Sequence, residues 1–446
     1  MTSAPSQQCM FSKILYEFQR IRWLFVVLQS HVDPPWTRCY WRRWWSWQSL
    51  SHLKYLQAHN ALVLLKNSLS MPRLLYTLRT SDCRNHPLLT RFDTILREGL
   101  LLILNVNFYD TQWLQATLPV RNGGIGLRTT STLATSAFLA SAASTEAFQQ
   151  AFLPPSHSNA ADKTRNLTVD AWISLSSSAS HEPCFQRIQK AWNGPVVKSV
   201  MDRIALSANS DVDHAILKVA TAPHSGDWLH AAPIASVGLK LMDKEIRISV
   251  AKRLRVWTCT PHTCICGKLA DARGLHGLSC RKSTPRHQRH AMLTDIIWRA
   301  IKRAEIPANR NQQDSSQVVI NAQMEPLWSR GRKANRSHGT SPFLIPSLTR
   351  TSIWHHRKQE LQLDKRHRRR TPTTLTSPLL IFYPIAIETA CSWDVQALEV
   401  IEEIGRWVTE ATEDPKETMY LFQRLSMAIQ RGNALSFFNT VDKNHV

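Results

Sequence analysis

Acidic side chains are scarce in this chain: 33 Asp and Glu stand against 55 Lys and Arg in 446 residues, a formal net charge of +22. That deficit suits a polyanionic partner, most simply RNA or DNA, since phosphate neutralisation supplies most non-specific affinity. A merely basic surface is the alternative that charge alone does not separate. No two aspartates are adjacent anywhere, which excludes an Asp-Asp pair holding two divalent ions for phosphoryl transfer. No run of 18 apolar residues occurs either; Ile21 to Leu28 is too short to span a bilayer and no obvious cleavage site follows it. The expectation is a soluble chain, cytoplasmic or nuclear. A disulfide ladder is also missing, because the nine cysteines are an odd set with three clustered and the others scattered. That usage fits a reducing compartment. The length suffices for roughly two to four domains, each with its own core.

What the chain does hold is concentrated in CICGKLADARGLHGLSC, where Cys264, Cys266, His276 and Cys280 offer three thiols and an imidazole. Such donors suit a tetrahedral structural zinc ion (Zn2+). Gly267 and Gly274 ease the tight turns that a small metal knuckle needs. Three unrelated buried thiols and a core histidine are the alternative, and Cys259, His262, His287 or His290 could each replace a ligand. Basic sequence follows at once, RKSTPRHQRH at 281–290, as a grip for a phosphate backbone beside a metal-pinned loop.

The organisation predicted along the chain is mainly α, with a small α+β part at the C-terminus. Residues 1–48 look unlike a folded domain: Trp36, Trp41, Trp44, Trp45 and Trp47 crowd together with Arg42 and Arg43, without periodic order. Such an aromatic-basic mixture could stack bases. Yet CYWRRWWSW, read from the third nucleotide of its codons, can encode Leu-Leu-Glu-Lys-Val-Val-Glu-Leu, which has helical spacing. The segment is therefore read as translated out of its ancestral frame. Residues 49–148 read as a helical domain, with apolar spacing through Leu53, Leu56, Leu62, Leu64 and Leu65, then Pro87 opening a longer helix. Asn122-Gly123-Gly124 reads as a turn. Residues 149–185, rich in Ser, Asn and Ala, read as a linker. A helical connector is expected at 186–258, the zinc knuckle at 259–290 and a further helix at 291–310. Residues 311–374 read as a basic disordered segment: between 327 and 372, 12 Lys or Arg stand against 2 acids, too little apolar content to offset chain entropy. A strand and amphipathic helices follow in 375–446.

Several segments together resemble the C-terminal half of a non-LTR retrotransposon polyprotein, in which a reverse transcriptase is followed by a zinc knuckle and a restriction-like endonuclease. They are LKYLQAHNALVLLKNSLSMPRLLYTLRTS (53–81), DTQWLQATLPVRNGGIGLR (110–128), HSGDWLHAAPI (224–234), the CICG…HGLSC knuckle, RHAMLTD (289–295), IFYPIAIET (381–389) and QRLSMAIQRGNA (423–434). The resemblance covers roughly two thirds of the chain. It implies that 49–148 are thumb-like helices after the polymerase palm, that the knuckle binds RNA or target DNA, and that 291–446 are the remnant of a nuclease. The family's palm aspartates lie upstream of everything matched here. Its Arg-Pro-Asp-Gly and Trp-Asp-x-Thr motifs are missing from the translated chain. Both reappear by one shift of frame, in NAQME (321–325) and HGTSPFLIPS (338–347). Thr294 stands where the family has an Asn.

The function expected is thus that of a truncated, catalytically inactive fragment with residual zinc-dependent, non-specific nucleic-acid binding through Arg286, Arg289, His290, Arg424 and Arg431. For each of these, solvent exposure or pairing with an acid is the alternative. Glu388 reads as structural. A second reading is a divergent metal-dependent endonuclease using Asp295, Glu388 and Asp394. A third is a domesticated nuclear binding protein with KRHRRR (365–370) as its address.

Overall fold

A computed structural model describes residues 52–152, 155–176, 181–306, 308–310, 317–320, 343–348, 381–382 and 385–440. The chain divides into two compact units, Met1–His52 and Leu53–Val446, and the account below concerns the second. The reading of 1–48, the KRHRRR cluster and NAQME lie outside the described residues. The second unit is mainly helical, as expected.

Its first helices are α1 (Ala58–Leu64), α2 (Leu75–Thr80), α3 (Pro87–Leu104), α4 (Asp110–Thr117) and α5 (Thr130–Phe152). Pro87 opens α3 where its missing N–H costs nothing, and Asn105, in the left-handed region at φ 52°, ends it. Between them Leu89, Phe92, Leu96, Leu100 and Ile103 recur at helical spacing and are buried. Asp93, buried on the same helix, accepts from the backbone N–H groups and hydroxyls of Thr130 and Ser131. It thereby satisfies the free N-terminus of α5 from another helix.

The linker expected at 149–185 is corrected. α5 runs to Phe152 and α6 spans Pro155–Ser176. Trp172 of α6 is fully buried against Trp192 of α7 (Gln189–Leu206), ring centroids 5.0 Å apart, edge to face. The Trp172 indole N–H donates to the Trp192 carbonyl at 2.7 Å. With Leu139, Ala140, Val169 and Val196 these rings form a satellite core. Mean composition concealed it, because one large aromatic can supply much of a polar helix's apolar burial.

The junction that positions the rest is built on Arg253. Helix α8 (Asp211–Ala220) leads to the HSGDWL loop and then to α9 (Asp243–Arg253). The buried Arg253 guanidinium donates to the carbonyls of Val120, Gly124, Ala220 and Ser225. One side chain so ties the GGIGL loop and the HSGDWL loop to α9. These loops bury carbonyl groups away from regular structure, and each needs a donor. Burial in turn pulls the guanidinium down to about 10, still charged near neutrality.

Beyond α9 lie the hairpin β1 (His262–Thr263) and β2 (Leu269–Ala270), the short α10 (His276–Ser279) and α11 (Pro285–Arg303). A mixed sheet follows from β3 (Ala308–Arg310), β4 (Gln317–Ile320), β5 (Phe343–Leu348), β6 (Ile381–Phe382) and β7 (Ile385–Ala386). β3, β4 and β5 pair antiparallel in that order; β6 and β7 both pair parallel with β5. The disorder expected across 311–374 is therefore corrected for β4 and β5, whose Val-Val-Ile and Phe-Leu-Ile runs favour extended pairing. The remainder of that segment lies outside the described residues.

Helices α12 (Val395–Thr412) and α13 (Glu417–Phe438) close the chain. α13 packs against α9, α10, α11 and α12. A single core runs through Leu293, Ile297 and Ile301 of α11, Ile401 and Ile404 of α12, and Leu421, Leu425 and Ile429 of α13. The boundaries expected at 258/259 and 290/291 are consequently not breaks in packing: connector, knuckle and C-terminal part belong to one unit.

Candidate metal centre and nucleic-acid interface

The knuckle begins as a two-stranded hairpin with His262 opposite Ala270. Its turn is closed by the Cys264 N–H donating to the Lys268 carbonyl at 2.9 Å and the Gly267 N–H donating to the Cys264 carbonyl at 2.7 Å. Gly267 sits at φ 84°, a conformation costly for any residue with a Cβ. The loop 271–275 braces itself, because the Asp271 carboxylate accepts from the N–H groups of Arg273 and Leu275. It then delivers His276 at the start of α10 and Cys280 just past its end.

These turns bring Cys264, Cys266, His276 and Cys280 together, with their ligand atoms all within 4.8 Å of one another. The Cys264 and Cys280 sulfurs are 3.7 Å apart, and the Cys266 sulfur lies 3.1 Å from His276 Nε2. A tetrahedral ion bound at ordinary metal–sulfur and metal–nitrogen distances would separate its donors by about 3.5–3.8 Å. The Cys264–Cys280 separation matches that spacing, while the others run from 3.1 Å to no more than 4.8 Å, so the four residues can close on a tetrahedral metal with small side-chain adjustments. The backbone N–H of Lys268 pulls the Cys266 thiol down to about 6, helped by the neighbouring donors. Burial pushes Cys264 up to about 11. Metal binding must therefore displace a proton at least from Cys264.

None of the alternative ligands joins the cluster in place of these four. The Cys259 thiol donates to the Asp271 carbonyl, and the His262 ring bonds to Thr260 O and Thr440 Oγ1. The His262 contact also docks the hairpin onto the end of α13. Gly277 lets α10 approach that helix, since a Cβ there would lie 2.9 Å from the Ser436 carbonyl. Gly274, at φ 63°, would place a Cβ 2.3 Å from the Phe437 ring. The knuckle is seated on α13 rather than hanging from the chain.

Cationic side chains rim it. Lys268, Arg281, Lys282 and His287 are exposed, Arg286 and His290 half-buried, and Asp271 is the one acid between 262 and 290. Lys282 Nζ donates to the Ile265 carbonyl, so its stem lies along the hairpin. Arg286 and His290 lie on the first turns of α11, which follows the knuckle in the chain.

Three expected nucleic-acid contacts are corrected. Arg289 is buried, and its guanidinium donates to Asn433 at 2.6 Å. Arg424 shares the buried Glu417 carboxylate with Arg303. Arg431 donates to the carbonyls of Gly238 and Lys240 and lies 3.8 Å from Glu245. Charge drew these three into the expected set; Arg289 is buried between α11 and α13, whereas Arg424 and Arg431 are half-buried and engaged by the partners named. Lys268 was missed, although it stands two residues from Cys266; Arg281, Lys282 and His287 lay within the RKSTPRHQRH run read as a phosphate grip but were not singled out.

The acids of the endonuclease reading are engaged separately. Asp295 pairs with Arg299 at 2.7 Å, Glu388 accepts from the Ser392 hydroxyl, and Asp394 caps α12 through the Gln396 N–H. Among the described residues, the Cys3His cluster is the one group of three or more donors close enough to hold a metal. No protein-family model matches this chain, and no curated protein matches it.

Proposed function

We propose that this chain is a zinc-dependent, non-specific nucleic-acid-binding protein, a catalytically inactive remnant of a non-LTR retrotransposon polyprotein. The carrying observation is the convergence of Cys264, Cys266, His276 and Cys280 in a segment whose exposed side chains include Lys268, Arg281 and Lys282. Bound zinc would supply cross-linking rather than chemistry, fixing the hairpin to α10. The rim cations then meet phosphate oxygens, which position a strand without reading its sequence. The resemblance carries the retroelement part of the reading, and the missing Asp-Asp pair carries the lack of polymerisation.

The test has two arms. Elemental analysis should find one zinc per chain, abolished by Cys280→Ser. Binding to nucleic acid should weaken steeply with added salt as counterions are released, and the double change Arg281→Glu, Lys282→Glu should reduce it further. A zinc-loaded protein that binds neither RNA nor DNA at low salt would sink the reading.

A further inference from the structure

Beside the knuckle, two large aromatic rings stand out of the surface. Trp257 is 62% exposed and Tyr109 is 64% exposed, with ring centroids 6.4 Å apart and planes at 79°. Their proximity is built rather than incidental. Tyr109 caps α4, and Gln112 one turn later donates to the Arg255 carbonyl at 3.1 Å, which fixes α4 against the strand of chain that carries Trp257. Below them Asp213 holds both Arg255 and Arg273, at 3.6 and 3.0 Å. That anchor fixes one wall of a cleft of about 590 Å³ lined by Trp257, Asp271, Arg273, His276 and Ser279. The volume lies in the range that takes a nucleoside-sized ligand, roughly 300–1,000 Å³.

Charge decides which part of a nucleic acid would enter. The Asp271 carboxylate and the Arg273 guanidinium both line the cleft, and Arg273 is further engaged by Asp213, which also holds Arg255. The lining thus offers a phosphate no net charge, while the indole of Trp257 offers a base an apolar face. The cations lie just outside: Ser279 lines the cleft, and Arg281 and Lys282, two and three residues on, belong to the rim. A strand with its phosphates on the rim would turn its bases toward Trp257. In a duplex both base faces are already stacked, so an indole face can accept only an unpaired base.

We infer that the cleft beside the Cys3His cluster seats an unpaired nucleobase on Trp257, whose indole is flanked by the Tyr109 ring outside the cleft lining, making single-stranded nucleic acid the preferred partner. This rests on the nucleic-acid reading above. Its test compares labelled oligothymidine DNA, oligouridine RNA and a DNA duplex by fluorescence anisotropy on the zinc-loaded chain. Trp257→Ala should weaken binding to the single strands about tenfold, leave duplex binding and the salt slope unchanged, and be rescued by Trp257→Phe. Tyr109→Ala, with its ring equally exposed, should act in the same direction more weakly. Zinc content and melting temperature of each variant report whether the fold is intact. The two oligomers distinguish DNA from RNA as the source of the strand. Unchanged single-strand affinity in both variants, or equal losses for duplex and single strand, overturns the inference while leaving the broader reading standing. Absence of binding to all three probes removes both.

Discussion

Two irregular stretches of this chain are each held by groups converging on one centre, around the Cys3His cluster and around Arg253. In the first, four side chains of one short segment point inward at a shared space. In the second, one side chain points outward at carbonyls from two distant loops. On the proposed zinc reading, the knuckle's donors would compete with protons and depend on an ion from solution. The guanidinium brings its own charge and donors, and it stays ionised at any physiological pH. The first arrangement is thus conditional and the second permanent. The conditional one carries the proposed contact surface, while the permanent one holds the scaffold on which α13 and the knuckle sit.

Chelation should separate the two most sharply. Binding free energies of structural zinc reach about 10 kcal/mol or more in small metal modules, so a chelator should abolish hydrogen-exchange protection across 262–280. The docked end of α13 should loosen with it, and added zinc should restore both. Protection around Arg253 should persist throughout; its simultaneous loss would show that the two regions fold as one. Arg253→Met should cost about 3–5 kcal/mol in denaturant unfolding, because it strands buried carbonyls of both loops. No zinc concentration should reverse that loss.

A pH difference sharpens the permanent side. His59 is buried and its Nδ1 accepts from the Leu241 N–H. Burial first, and then the Lys240 charge, holds its pKa down to about 4 against 6.5 for the free side chain. The unfolded chain therefore takes up the proton first. The stability from neutral His59 is complete above about 6.5 and is lost as the pH falls toward 4. The loss should be about 3 kcal/mol. His59→Gln retains an acceptor and should flatten the slope between pH 7 and 4.5; an identical slope in both proteins would exclude His59 as its source. The smallest effect belongs to the rim: Arg281→Ala should move the melting temperature hardly at all while lowering the salt slope of nucleic-acid binding by about one unit.

Legibility followed the locality of each interaction. The metal donors are all within one short run, and Gly267 and Gly274 mark its turns, so the cluster was readable before any fold was known. The helices α3, α12 and α13 were readable for the same reason, since their apolar spacing is a property of neighbouring residues. α6 was misread because its Ser, Asn and Ala content outweighed the single Trp172 that seats it. β4 and β5 were misread because the basic character of the whole segment averaged over two short apolar runs. Arg289, Arg424 and Arg431 were read as a surface grip; Arg289 proves buried against Asn433, while Arg424 and Arg431 are half-buried and bound, respectively, to Glu417 of the same helix and to the carbonyls of Gly238 and Lys240.

The order of residues by itself determined the donor set, the cationic excess and the helical character, because ligand chemistry, charge and periodicity are properties of short stretches. Tertiary structure alone decided which cations face water, and that Tyr109 stands beside Trp257. It also decided that a knuckle in the middle of the chain is seated on the last described helix. Those outcomes depend on contacts between residues far apart in the chain, whose burial is settled when α4, α9, α11 and α13 pack together.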